Sequence, residues 1–443
     1  MTVERRIPFV CDPVATAAAL AAGSPDSYVV YEDHGVVAYA EGEVASVSAH
    51  AEGSTLVEGS RRRFFPANGR VLASVSEALA AIGAPTWRAY GWATFELSHV
   101  LHGHDLPGGP LAYLAVPRRE VRLDNGIAVL MAPAAELDDL ERRLRDAAEH
   151  VPPPAGRVEV DIREDGRDYL AAVAAAVADI CAGLFDKVIL SRVVPVDEDV
   201  DFPATYVTGR RGNDPARSFL LRLGGWETTG FSPEIVAGVG ADGVVSTQPL
   251  AGTRAFDGDS LLDVARREEL YRDAKEVFEH AISVRLAAAE LAEVCAPNSV
   301  RVNDFMSVKE RGSVQHLASD VEGRLRAGHT SWDALAVLFP AVTASGIPKA
   351  AACEAIRRAE AEPRGLYSGA VLTVDSTGAL DAALVLRSVF RRDGRTWLRA
   401  GAGVVAQSTP ERELEETVEK LRSVSRFLVA EVAEVPAVRA AAS

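Results

Sequence analysis

The stretch GAVLTVDSTGALDAALVLRSVFRRDGRTWLRAGAG, residues 369–403, decides the fold. Gly369 to Val374, Ala382 to Phe390 and Trp397 to Ala400 are apolar runs rich in strand-forming residues. DSTG and RRDG separate them, and both carry the Asp and Gly of tight turns. Strands joined this way form antiparallel hairpins. Long helical runs stand beside them rather than between them, so the predicted class is α+β rather than doubly wound α/β.

Downstream, STPERELEETVEKL (408–421) begins a helix, with two ways to start it. Thr409 can cap it with Pro410 in the first helical position, or Ser408 can form a capping box with Glu411. Either start puts Glu413 near the positive end of the helix dipole. At about 100° per residue, Glu413, Glu416 and Lys420 share one face.

Upstream, Ser218 to Leu223, Thr228 to Phe231, Ile235 to Val239 and Val244 to Thr247 read as strands. A long helix is predicted over Leu261 to Ala296, with Glu276, Glu279 and His280 on one face. Before these come a helix from Tyr169 to Leu184 and a β-branched strand from Lys187 to Val196. The first 160 residues alternate strands (Ser27 to Tyr31, Gly35 to Ala40, Gly126 to Met131) with Ala-rich helices, the last being Leu137 to His150. VPPPAG at 151–156 reads as a surface connection.

Two helices that aim carboxylates at one point can hold a hard cation such as Mg2+ and leave coordination sites for a substrate. Spacing alone fits a solvated, salt-bridged face equally well. Lys187 is a surface lysine at a strand edge or a general base with its proton loosened by burial. Glu234, in Phe-Ser-Pro-Glu, is an exposed turn carboxylate or a partner acid kept protonated by apolar walls. Arg387, inside ALVLRSVF, needs an anion, either Asp381 or a substrate carboxylate gripped in bidentate fashion. The runs 343–349 and 400–403 offer backbone N–H groups to an anion, yet neither is a Walker or dinucleotide motif.

The 443 residues carry a net charge of -16, which disfavours nucleic acid and anionic membrane as partners. Positive charge for an anionic substrate must then be concentrated locally. Four cysteines without a CxxC pair suit a reducing cytosol. The N-terminus lacks a signal-peptide core, and no apolar run reaches the ~18 residues of a membrane span. A cytoplasmic protein is expected.

The ordered series KVILSR (187–192), SPE (232–234), PLAGTR (249–254), KEVFEHAISVR (275–285), SVQHLAS (313–319), TASGIPK (343–349), LYSGAV (366–371), DAALVLRS (381–388) and AGAGVVAQSTPERELEETVEKL (400–421) resembles the chorismate-utilising enzymes. Within that family the wording is most similar to the salicylate synthases of siderophore and related secondary-metabolite pathways. YGWATFEL at 90–97 carries the looser resemblance of the N-terminal part.

The resemblance implies one α+β unit of two large antiparallel sheets packed together, with helices outside. Residues 1–160 would form its N-terminal part, 161–435 the chorismate-binding region and 436–443 a tail. It further implies that Glu279 and Glu416 ligate Mg2+, with Glu276 and Glu413 nearby or acting through water. Lys187 would activate water for attack at C2, and Glu234 would protonate the departing C4 hydroxyl. Gly252 and Thr253 would line the ring, and His316 would sit beside its carboxylate. Tyr367, Arg387, the backbone at Gly403 and Lys420 would bind the enolpyruvyl carboxylate. Ammonia-using relatives lack the lysine, so Lys187 favours water. The expected activity is conversion of chorismate to isochorismate and then to salicylate and pyruvate, by a monomer without a glutaminase subunit. The alternatives are an isochorismate synthase that stops halfway and a non-catalytic chorismate-binding regulator.

Overall fold

The computed structural model describes residues 2–104, 108–150, 156–164, 166–256, 258–311 and 314–431, except the side chains at 251, 253, 255, 275 and 311. The connection expected at 151–156 falls almost wholly outside the described residues, and the tail wholly so. None of the described helices is long and apolar enough to cross a membrane.

Two antiparallel sheets form the body, as the resemblance implied. One has eleven strands among the described residues, with Tyr28–Asp33 against Arg217–Leu223 at its centre. Its far half orders Trp226–Ser232, Ser388–Arg392, Arg395–Val404 and Lys187–Val196 side by side. The other has twelve, with Arg88–Ala93 against Ala370–Asp375 at its centre and Leu250–Ala255 towards one end. Both sheets therefore draw strands from either half of the chain.

Alternation along each strand separates the cores. Val29 and Tyr31 face the layer between the sheets, where Trp92, Phe219 and Phe390 also lie. Tyr28 and Val30, one residue out of phase, face an outer layer covered by the helices Pro13–Ala22, Leu137–Glu149 and Phe202–Gly212. Strands buried on both faces read as continuous apolar runs, which is why YVVYED and AVLTVD show little polar alternation. Trp92 is fully buried, and truncating such a side chain costs about 3–5 kcal/mol.

Several bounds agree with the sequence, including Lys187–Val196, Ile235–Val239 and Val244–Thr247. The helix expected from Tyr169 to Leu184 runs Gly166–Cys181 instead. Two other differences matter for the site. The helix expected over 261–296 is two helices, Ser260–Arg272 and Ala274–Val294, broken at Asp273 in an extended conformation. The Asp273 carboxylate accepts the Glu276 backbone N–H at 3.3 Å and an Arg254 N–H at 2.8 Å, so it starts the second helix while holding a neighbouring strand. The strand expected over 382–390 is also two, Leu380–Leu384 in the twelve-stranded sheet and Ser388–Arg392 in the other. Between them the chain crosses from sheet to sheet, and Arg387 takes φ +52°. That conformation is uncommon outside glycine. The last helix, Pro410–Ser425, starts with Thr409 as cap residue and Pro410 first, without a side-chain capping bond.

Candidate active site

Near the crossing segment lies a cavity of about 450 Å³. Its wall includes residues of strands Lys187–Val196 and Arg395–Val404 from one sheet, and of Leu250–Ala255 and Val314–Arg324 from the other. The helices Ala274–Val294 and Pro410–Ser425 complete it. The structure brings eleven of the thirteen expected site residues to this one wall: Lys187, Glu234, Gly252, Glu276, Glu279, His316, Tyr367, Arg387, Gly403, Glu416 and Lys420. The Thr253 side chain lies outside the described ones. Glu413 is fully buried and is not on the wall.

Lys187 opens its strand with Ile189 on the same face, so both reach the cavity while Val188 and Leu190 enter the core behind. The antiparallel neighbour of Ile189 is Gly403. A Cβ there would stand 3.2 Å from Lys187 Cε, so glycine makes room for the lysine. Lys187 Nζ donates to Glu279 Oε2 at 2.9 Å, and both side chains are largely buried.

Glu234 sits in a turn held by Ser232, whose Oγ donates to the carbonyls of Leu384 (2.6 Å) and Glu234 (2.9 Å). It is not the exposed turn carboxylate of the plainer sequence reading, because only 4 % of it is exposed. Burial pushes its pKa up to about 8, against the opposing pull of the Thr343 hydroxyl at 2.7 Å and the Lys187 charge. That shift favours the protonated carboxyl at neutral pH.

Arg387 and His316 form one unit. Arg387 donates to His316 Nε2 at 2.9 Å, so the imidazole accepts there and Nδ1 carries the proton, which goes to the Gly252 carbonyl at 3.3 Å. Asp381 is not the partner of Arg387. Its carboxylate receives Arg217 at 2.8 and 2.7 Å and the Tyr31 hydroxyl, on the other side of the crossing. Gly252 has φ +69°, and a Cβ would meet Glu276 Oε2 at 3.2 Å. Lys420 bridges its helix to the sheet, donating to Glu416 Oε1 at 2.7 Å and to the Gly401 carbonyl at 2.9 Å.

His280, one turn along the helix from Glu276, is not on the cavity wall. It is buried, bonded through Nε2 to Ser319 Oγ at 2.7 Å, and burial pushes its pKa down to about 4. In the 343–349 run, Thr343 holds Glu234, and Lys349 is buried on Glu290 at 2.7 Å and the Leu338 carbonyl at 2.9 Å. Sequence reasoning missed Thr343 as the partner of Glu234 and Arg254 as a cation on the wall, although PLAGTR contains Arg254.

Among the described residues no three His, Cys, Asp or Glu side chains gather closely enough to hold a metal by themselves. Mg2+ does not require that. It is usually bound by one or two carboxylates, with water and substrate oxygens completing the octahedron. The hard oxygens of Glu276, Glu279 and Glu416 around one cavity fit that chemistry.

A family model for chorismate binding enzymes matches residues 26–426. The chain is 45 % identical over 432 residues to a salicylate synthase of Mycolicibacterium paratuberculosis, covering 96 % of this chain and 95 % of that one. It is 37 % identical over 264 residues to anthranilate synthase component 1 of Spirochaeta aurantia, covering 60 % of this chain and 55 % of that one. The crystal structure of anthranilate synthase component I from Streptococcus pneumoniae superposes with a TM-score of 0.73 at 23 % identity, over 91 % of this chain and 93 % of that one. The menaquinone-specific isochorismate synthase of Escherichia coli gives 0.75 at 20 % identity, over 96 % and 94 %. These two structures share the fold.

Proposed function

This chain belongs to the chorismate-binding enzyme family, and from that premise we propose that it converts chorismate to salicylate in two steps within the cavity. The observation that carries the reading is the placement of Lys187 and a buried Glu234 on one cavity wall, where burial favours the protonated carboxyl. In the first step Lys187, acting as the neutral amine, takes a proton from water as the water oxygen bonds to C2. Glu234 gives its proton to the C4 hydroxyl, which leaves as water while the ring double bonds shift. Water enters and water leaves, so the product is the isomer isochorismate. In the second step the hydrogen at C2 passes to the enolpyruvyl methylene carbon as the ether bond at C3 breaks. That releases pyruvate and leaves the aromatic salicylate. This step needs the enolpyruvyl arm close to C2, which is a matter of positioning.

Chorismate is a dianion, and the cavity supplies cations where an acidic protein otherwise has few to spare. Arg387 and Lys420, with the Tyr367 hydroxyl and the Gly403 backbone, would take the enolpyruvyl carboxylate. Gly252 and Thr253 would lie along the ring. His316, neutral and bonded to Arg387, keeps that guanidinium aimed. Glu279 and Glu416 would hold Mg2+, with Glu276 and Glu413 nearby or acting through water. When bound, the ion would neutralise the ring carboxylate and fix its orientation.

The test is incubation of purified protein with chorismate, with and without Mg2+, following salicylate and pyruvate by chromatography. Equimolar salicylate and pyruvate, formed only with Mg2+, is the expected result. Isochorismate without pyruvate would reduce the activity to the first step, and no consumption of chorismate would overturn the reading.

A further inference from the structure

Behind Tyr367 lies a buried ionic cluster that none of the roles above uses. Glu360, at the C-terminal end of the helix Lys349–Ala359, has a side chain only 6 % exposed. Its Oε1 accepts the Ser191 N–H at 2.8 Å, the Ser191 hydroxyl at 2.9 Å and Arg364 at 2.6 Å. Its Oε2 accepts Arg364 Nε at 2.9 Å and Arg399 at 2.6 Å. The two guanidinium groups sit 5.7 and 5.6 Å from the centre of the Tyr367 ring. Arg364 also donates to the carbonyls of Ile189 and Ala344, at 2.6 and 2.7 Å, and both of those residues line the cavity. Arg399 donates to Ser191 Oγ at 2.9 Å. Ser191 is the register partner of Gly401, whose position a Cβ would bring within 3.0 Å of the Tyr367 hydroxyl. From the N-terminal motif, Glu96 accepts the backbone N–H groups of Arg364 and Gly365, and the Phe95 ring lies 4.5 Å from the Arg364 guanidinium.

Resting on the chorismate reading, we propose that Glu360 is a positioning residue. Through Arg364, Arg399 and Ser191 it fixes the Tyr367 ring and the facing strands Lys187–Val196 and Arg395–Val404, and so holds the enolpyruvyl arm in place for pyruvate release. A carboxylate taking bonds from two guanidinium groups and a backbone N–H joins three segments in one geometry. Glutamine keeps the shape but presents an NH2 to donors on one side, which loosens the ring without emptying the space.

The test is a double-mutant cycle of Glu360→Gln and Tyr367→Phe, read as KM for chorismate and as the ratio of released isochorismate to salicylate. Glu360→Gln should raise both about tenfold, since a misplaced reacting group loses rate steeply. In the double variant Glu360→Gln should add little to Tyr367→Phe. Multiplying effects, or an unchanged KM and ratio in Glu360→Gln, would overturn the proposal. Should Glu360→Gln not fold, Ser191→Ala keeps every charge and should move both readouts the same way, about threefold, the cost of one lost hydrogen bond; no change there would overturn it too. A wild type that stops at isochorismate would refute the salicylate reading alone, because the KM cycle would still decide on Glu360. A wild type that leaves chorismate untouched would remove both.

Discussion

Glu234 is 4 % exposed and the Glu360 side chain 6 %, yet their environments push the two carboxyls in opposite directions. At Glu234 burial dominates, opposed only by a threonine hydroxyl and the Lys187 charge, and the carboxyl is pushed up to about 8. Burial acts the same way on Glu360, but Arg364 and Arg399 outweigh it and hold the carboxylate below its usual range. Burial sets the cost of a charge, and the neighbours decide whether it is paid. The first environment suits a proton donor, and the second suits a joint.

The comparison breaks most visibly at its catalytic end. Lys187→Ala should abolish conversion of chorismate, with far-ultraviolet circular dichroism unchanged; near-normal turnover would remove the proposed base. Glu234→Gln should lower kcat by about 10²–10⁴, the usual worth of a positioned acid. In the wild type, activity should decline as pH rises through about 8, where Glu234 loses its proton, and that limb should be missing from the residual activity of the glutamine variant. A limb that persists there belongs to another group.

Next in size is the metal. Glu416→Gln removes a charge from the proposed Mg2+ site, and the Mg2+ concentration for half-maximal activity should rise about tenfold or more. A titration matching wild type would count against the site.

Stability then separates the two glutamates. Glu360→Leu strands two buried guanidinium groups and should cost about 3–5 kcal/mol in urea unfolding. Glu234→Leu removes a neutral group with one hydroxyl partner and should cost about 1 kcal/mol or less. The smallest effect is a linkage. Between the unperturbed 4.5 and about 8 the folded chain keeps a proton on Glu234 that the unfolded chain has shed. Its contribution to stability is full below about 4.5 and is lost as pH rises to about 8. Glu234→Gln should erase that loss, so wild-type stability should fall relative to the variant across this window. A constant difference would contradict the protonated carboxyl.

Local pattern made much of this visible. The KVILSRVVPV strand, the two carboxylate-bearing helices and the hairpins after Gly369 follow from periodicity, turn residues and β-branching. The motif series placed Lys187, Glu234, Arg387 and Lys420 together although up to 233 positions separate them (420 minus 187). What stayed hidden depends on tertiary partners. ALVLRSVF reads as one strand because nothing in it marks a positive φ at Arg387, yet there the chain changes sheets. Asp273 breaks a helix whose periodicity runs on, because Arg254 from another element draws its carboxylate. Glu360, Ser191 and Arg399 are far apart in sequence and unremarkable alone, so their joint became visible only with the fold. Hairpins as polar as Arg301–Arg311 with Val314–Arg324 lack the apolar alternation by which strands are found.

The central claim is that Lys187 and Glu234 add water at C2, and isotope labelling reads it directly. Turnover of chorismate in H2(18)O with Mg2+, followed by mass spectrometry, should give salicylate whose phenolic oxygen carries the label and pyruvate formed in equal amount. Salicylate without the label would contradict the account, since its hydroxyl would then not have come from solvent.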